Sequence, residues 1–335
     1  MRLHPSPMRL SCSACSVFNG LLLVCSGIFA QEPTIRTTVP IVVLPVTVTD
    51  RNGHFIYGLS PSDFLLLDNG KPRQVRVDDP DSGLAPPRIV ILIQTSDVSA
   101  SALLKIRKTG AMIQQAVIGA KGEAAIVTFS DTITVLQDFT SDPDKIADVF
   151  QDLKAADTGQ GRVTDAVAKA LDMLATHPTP AASSILLIGE NKDRGSEKKL
   201  NDLLPKIERS PVTIDTLVYS AYLTAFTTKG TEYVPPDSGG GLMTAIKETA
   251  RLGKQNEAAI LTTATGGQSF RFETQSKLEN NLIRVGAQIH SRYLVSFTPE
   301  QQQTASFHSI QLTIKGQPQL TVRTRPGYWS DLHAP

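Results

Sequence analysis

The sequence predicts an α/β fold: a doubly wound, mostly parallel sheet inserted between two halves of a small β-sandwich. Three observations carry this. The runs Arg88–Gln94, Glu123–Phe129, Ser183–Gly189 and Val212–Tyr219 are short and nearly continuously apolar, as strands covered on both faces are. Between them lie stretches with helical spacing of apolar residues: Ala100–Val117, Pro143–Leu153, Arg162–Thr176 and Ser196–Glu208. Towards both ends the pattern turns to apolar–polar alternation, which marks strands with one wet face.

Residues 1–30 read as a secretory signal rather than fold material. Arg2 and Arg9 precede Val17–Ala30 (VFNGLLLVCSGIFA), a short apolar core that ends in small residues, with Ala30 as the cleavage point. A spanning helix needs about 20 apolar residues, so the mature chain has no membrane span; an uncleaved anchor is the second reading. Met8-Arg9-Leu10 repeats Met1-Arg2-Leu3, which makes Met8 an alternative start, and Val24 before Cys25 counts against lipidation. Cys12, Cys15 and Cys25 all lie in this segment, so the predicted mature chain can form no disulfide, thiolate metal site or cysteine nucleophile.

Residues 31–80 form the N-terminal β module. Ile41–Thr49 is a β-branched, alternating strand, Asp50-Arg51-Asn52-Gly53 a turn, and His54–Tyr57 a resumed strand. Ser60-Pro61 opens a helical turn. Phe64–Leu67, the turn Asp68-Asn69-Gly70-Lys71 and Gln74–Val77 make a hairpin. Residues 81–87 are a linker and 88–290 the α/β domain. Thr132–Val135 follows Phe129 closely enough to be its edge partner. Beyond Tyr219 come a mobile loop over 221–240, helices near Gly241–Lys254 and at Glu257–Thr265, a strand at Gln268–Phe272 and a helix at Gln275–His290. Residues 291–328 return to alternation in Tyr293–Thr298, His308–Lys315 and Leu320–Thr324. Two or three strands are only marginally stable alone, so these are expected to complete the N-terminal module.

Composition narrows the function. Lys plus Arg number 33 against 32 for Asp plus Glu, and aromatic residues make up 6%, which argues against nucleic acid or an anionic membrane as partner. Gly239–Gly241 lacks the lysine and the feeding strand of a phosphate loop. His54, His177, His290, His308 and His333 show no zinc-like spacing, there is no G-x-S-x-G elbow, and no Ser-His-Asp set stands out.

The segment VVLPVTVTDRNGHFIYGLSPSDFLLLDNGKPRQV, followed by ATGGQSFRF, RYLVSFTP and VRTRPGYW, resembles the acidobacterial von Willebrand factor A-related family over nearly the whole mature chain. The resemblance implies a von Willebrand A (VWA) domain, Rossmann-like in its winding, with a metal-ion-dependent adhesion site on the rim formed by the strands' carboxyl ends. Ligand sites of open α/β sheets sit at that rim on general grounds.

In that family the site uses D-x-S-x-S at the end of the first strand, a threonine in a later loop and an aspartate after the fourth strand. These are hard oxygen donors suited to magnesium. Aligned by strand ends, the first aspartate falls on Gln94, the first serine on Ser96 and the second on Val98. The threonine falls on Gly161 and the last aspartate on Glu190. Only Ser96 is unchanged, so the expected site is degenerate and metal-free, with no cofactor.

Asp97-Val98-Ser99-Ala100-Ser101 is a D-x-S-x-S displaced by three residues, which would offer Mg²⁺ a shifted set of Ser96, Asp97, Ser99 and Glu190. The competing reading makes Asp97 or Ser99 the cap of the helix that starts near Ala100. Thr164 and Asp165 read as caps of their own helix, and Asp193 as part of a solvated loop. Arg194, Lys192 and Arg162 would bring positive charge near the site, and Arg162 or Lys192 is expected to supply the cation that the metal once did.

The expectation is therefore an exported, periplasmic or extracellular, non-catalytic module that binds an unknown protein partner through Gln94, Ser96, Asp97, Gly161 and Glu190. A cation-dependent adhesion domain using the shifted D-x-S-x-S, an unrecognised hydrolase, and a scaffold with an inert rim that assembles through its sandwich are the alternatives.

Overall fold

The computed structural model describes residues 41–80, 86–176, 183–219, 256–300 and 305–330. The signal reading, the 221–240 loop and the helix near Gly241–Lys254 lie outside them.

The chain enters through β1 (Val42–Thr49), turns at Asp50–Gly53, and returns only as a single bridge from Thr49 to Phe55, not as a strand over His54–Tyr57. Asp50 ties the turn, its carboxylate accepting the Asn52 and His54 N–H groups. Pro61–Asp63 forms the expected turn, with the Asp63 carboxylate accepting the Ser60 N–H at 2.7 Å. β2 (Phe64–Asp68) then reverses into β3 (Lys71–Arg73) through Asn69 and Gly70, both at positive φ, the backbone that suits a two-residue hairpin. The partner arm is thus Lys71–Arg73 rather than Gln74–Val77. β4 (Arg76–Asp78) leaves the hairpin for another sheet.

β5 (Arg88–Gln94), β6 (Glu123–Phe129), β7 (Ile133–Thr140), β8 (Ser183–Gly189), β9 (Thr213–Val218) and β10 (Ser269–Arg271) form one sheet in the order β10-β9-β8-β5-β6-β7. All neighbours are parallel except β6 with β7. The chain leaves β5 to one side, returns, and leaves β8 to the other. This is double winding, with its reversal between β5 and β8. Alternate residues of β5 feed opposite layers. Ile89, Ile91 and Ile93 meet Leu103, Ile106, Phe150, Leu282 and Val285, while Val90 and Leu92 meet Val163, Val167, Leu171, Leu204 and Leu261.

The helical stretch after β5 is segmented. An α-helix at Ala100–Ile106 passes through a tight turn at Arg107–Thr109 and a short helical piece, and ends as a wide π-turn at Ile113–Ile118. At the tight turn the Thr109 hydroxyl donates to the Ile106 carbonyl at 2.7 Å. The helix expected from Ser196 starts at Leu200, because the amides of Ser196, Glu197 and Lys198 are already held by side chains of Asp193 and Asp165.

After the helix Gln275–His290 the chain makes β11 (Tyr293–Phe297), β12 (Ser306–Ile314), β13 (Thr321–Arg323) and β14 (Gly327–Ser330). N- and C-terminal strands interleave in two antiparallel sheets, β13-β1-β11-β4 and β14-β12-β2-β3. Leu44, Val46, Phe64, Leu66, Tyr293, Val295, Ile310 and Leu312 form one apolar cluster across both. The strand β14 was not anticipated from sequence.

Two buried arginines tie these strands to the α/β sheet. Arg292 donates to Ser184 Oγ at 2.7 Å and to Asp215 Oδ2, reaching the amino-terminal halves of β8 and β9. Arg325 donates to the carbonyls of Glu208, Ser210 and Val212, closing the end of the helix Leu200–Arg209. Burial pulls the Arg325 guanidinium down to about 10 while the Glu208 charge opposes the fall. Among the described residues no helix is long and apolar enough to cross a membrane.

Candidate functional site

Gln94 ends β5 and Glu190 follows the last residue of β8, so the winding reversal places them side by side. Gln94 is fully buried. Its Oε1 accepts the Glu190 N–H at 2.8 Å, and because a backbone N–H can only donate, this fixes which way the amide faces. Nε2 then donates to Ser96 Oγ at 2.8 Å and to Glu190 Oε2 at 3.3 Å. Glu190 is 6% exposed, and its carboxylate is held by Arg194, Nε to Oε2 at 2.9 Å and Nη2 to Oε1 at 3.1 Å. Such a two-point guanidinium–carboxylate contact is among the stronger hydrogen-bonded pairs.

Gly161 joins from the loop before the helix Val163–Ala175. Its N–H and carbonyl pair with the carbonyl and N–H of Arg194, each at 2.9 Å. A Cβ on Gly161 would stand 2.5 Å from Gln94 Nε2, so the missing side chain makes the room that the amide fills. Ser96 Oγ lies 3.2 Å from Ser99 Oγ, which accepts the Tyr219 hydroxyl at 2.6 Å. Burial pushes the Tyr219 phenol up. One chain of hydrogen bonds therefore links the carboxyl ends of β5, β8 and β9.

The structure thus brings Gln94, Ser96, Gly161 and Glu190 together and leaves Asp97 out. Asp97 is exposed; its carboxylate takes the N–H of its neighbour Val98, and its own N–H donates to the Thr158 carbonyl. Neither it nor Ser99 caps the following helix through its side chain, since Ser99 Oγ is spent on Ser96 and Tyr219. Thr164 and Asp165 are not caps of their own helix either. Asp193 accepts the Thr164 N–H at 3.0 Å from outside, and Asp165 accepts the N–H groups of Glu197 and Lys198. These reciprocal carboxylates staple the 193–198 loop to the helix start, so Asp193 is built in rather than solvated.

The cation beside Glu190 is Arg194. Arg162 pairs with Glu197 at 3.0 Å, and Lys192 acts on Glu257. The clue available in sequence is the i, i+4 spacing of Glu190 and Arg194; Gly195, at φ +96°, bends the chain just after.

A magnesium shell needs about six oxygen donors with free lone pairs, near 2.1 Å from the ion. Here both Glu190 oxygens receive Arg194, the Gln94 carbonyl receives a backbone N–H, and the Gln94 NH₂ points its protons at Ser96 and Glu190. With its carboxylate already matched by a guanidinium and an NH₂ group turned into the cluster, this set is a poor fit for the ion.

Glu257 is tied to the 193–198 loop, its Oε2 accepting the Asp193 N–H at 3.1 Å. Burial raises its carboxyl above the usual 4.5; the Asp193 charge adds to this and Lys192 opposes it. An acid raised in the folded state stabilises fully below its unfolded value, and that stability is lost as pH rises through the folded one. Glu257→Gln is accordingly expected to melt higher than the parent near pH 7 and to lose this advantage below about pH 4. Parallel melting curves across that range would contradict it.

Far from this rim, a Ser-His-Asp set that sequence did not reveal comes together in the β strands. His308 Nδ1 lies 2.7 Å from Asp68 Oδ1, and its Nε2 lies 3.2 Å from Ser306 Oγ. Asp68 and His308 are buried, Arg73 Nε donates to Asp68 Oδ2 at 3.1 Å, and Tyr328 covers the pair.

A doubly wound sheet with an antiparallel edge strand and a polar site at the reversal is the layout that the sequence resemblance implied. Solved structures similar to the chain include these three. One is a von Willebrand factor type A protein from Catenulispora acidiphila, 11% identical, covering 88% of this chain and 74% of its own, with a TM-score of 0.44. A second is the conserved hypothetical protein BatB from Bacteroides thetaiotaomicron, 12% identical, covering 61% of this chain and 98% of its own, at 0.43. A third, an aerotolerance-related membrane protein from Bacteroides fragilis, is 12% identical over 60% of this chain and 98% of its own, at 0.40. The superpositions are loose, and strand order carries the fold assignment. No family model and no curated protein matches the chain.

Proposed function

We propose that the chain is an exported, non-catalytic protein-binding module that meets its partner without a divalent cation or other cofactor at the rim where exposed Asp97 stands beside the buried cluster of Gln94, Ser96, Gly161 and Glu190. The observation that carries this is the closed bonding of Glu190 by Arg194 and Gln94, which leaves contact to hydrogen bonds and shape. Export rests on the basic start and apolar core of residues 1–30.

The cation-dependent reading through Ser96, Asp97, Ser99 and Glu190 is weaker. Asp97 is exposed while the other three are buried. Among the described residues, the hydrolase reading has Ser306, His308 and Asp68 in its favour. There Arg73 already neutralises the aspartate that would have to polarise the histidine.

The test is capture of a partner from native envelope fractions on the immobilised chain, with and without EDTA. Capture is expected to survive the chelator and to fall at least tenfold with Asp97→Arg, a change at an exposed position. Substituting exposed residues of β12 such as Gln311 is expected to leave it intact. Capture abolished by EDTA would end the proposal.

A further inference from the structure

We infer that Arg194 is a built-in counter-cation: its guanidinium holds the charge-balancing place at the ends of β5 and β8, locking the rim in one state that does not answer to metal ions.

Glu190 is nearly buried, and a carboxylate there needs a positive partner or it neutralises. Arg194 supplies that charge through both oxygens, while Arg162 is engaged with Glu197. The departures from the adhesion pattern are then one coupled exchange rather than separate losses. Gln94 is long enough to reach both the N–H and the carboxylate of Glu190. It fits only because residue 161 has no Cβ, which would come within 2.5 Å of its Nε2. Gly161 in turn fixes the backbone of Arg194 by two hydrogen bonds, aiming the side chain back at Glu190. Each of the four residues supplies what another requires, and the result is charge-balanced without an ion.

This charge assignment stands apart from the contact-surface reading above; only its consequence, a rim that no metal switches, rests on it. The experiment is a double-mutant cycle on the full chain with Arg194→Met, Glu190→Gln and the pair, each melted with and without millimolar MnCl₂. Removing the guanidinium is expected to cost roughly tenfold or more in the unfolding constant when Glu190 is present, and far less once Glu190→Gln has removed the carboxylate. Manganese is expected to leave the parent's melting temperature unchanged and to recover part of the Arg194→Met loss, but nothing in the double variant. If Arg194→Met does not fold, Arg194→Lys and the parent's own manganese titration decide. Lysine keeps the charge and loses the two-point contact, so a partial loss is expected. An additive cycle, or a parent that binds Mn²⁺ in a manner abolished by Glu190→Gln, would overturn the inference. Chelator-sensitive capture with the coupling intact would sink the contact-surface reading alone.

Discussion

Arg292→Met is expected to destabilise the protein by about 3–5 kcal/mol, the range for removing one partner of a buried ion pair. Asp215 is fully buried, and Arg292 is its direct ionic partner. Among the described residues, without the guanidinium the carboxylate keeps the Gln268 N–H at 2.8 Å and the Gln288 amide at 3.2 Å, together with the more distant charge of Arg323. The two remaining hydrogen bonds and Arg323 place the loss toward the lower end of that range. Most of it is the cost of leaving Asp215 charged and buried, so Asp215→Asn added to Arg292→Met is expected to recover a substantial part. Urea unfolding of the two variants and the parent measures both. A loss for Arg292→Met below about 1 kcal/mol would mean that Asp215 is not charged in the folded chain.

The parallel core of the fold was legible because its strands are buried on both faces and therefore uniform in sequence. β5, β6 and β8 have the bounds that their apolar runs suggest, as does the helix Gln275–His290. Where local sequence and tertiary contacts disagree, reading failed. The Ala100–Val117 pattern keeps helical spacing throughout, yet the backbone there changes from α to a tight turn to a π-turn. Ser196–Lys199 is helix-like in composition, but Asp165 and Asp193, far away in sequence or behind in the loop, claim its amides. The short strand β14 contains Gly327 and is half-buried at its last two residues, too brief for alternation to show.

At the site, positions were legible and partners were not. Gln94 and Glu190 could be placed at neighbouring strand ends from the βα alternation alone. That Gln94 would fill the space over Gly161 depends on a distance between segments 67 residues apart, which no local pattern encodes. The choice of Arg194 over Arg162 and Lys192 depended on the Gly161–Arg194 bridge, a contact between two loops with no periodicity of their own. Asp97 shows the converse limit of reading a motif alone. D-x-S-x-S is a local signal, and its meaning depends on where the strand stops, here at Gln94.

Gly286→Ala sets two effects of opposite sign against each other. Alanine in a helix interior is favoured over glycine by about 1 kcal/mol, so helix propensity alone predicts a gain for a residue inside Gln275–His290. The packing predicts a loss. A Cβ at Gly286 would stand 1.8 Å from the Ala116 carbonyl oxygen and 2.5 Å from its carbon, contacts with backbone that cannot rotate away. The neighbouring π-turn and this helix would have to separate, opening the layer where Val117, Leu282, Val285 and Ile289 meet. Overpacking of a tight core costs about 1–3 kcal/mol and more when backbone must move, so a net loss near 3 kcal/mol is expected. A glycine kept inside an otherwise regular helix is the sequence trace of such a close approach. Calorimetric melting of Gly286→Ala decides between the two terms: a raised midpoint would show that the segment Ile113–Ile118 does not lie against this helix as described, and with it the placing of the whole layer behind β5 would fall.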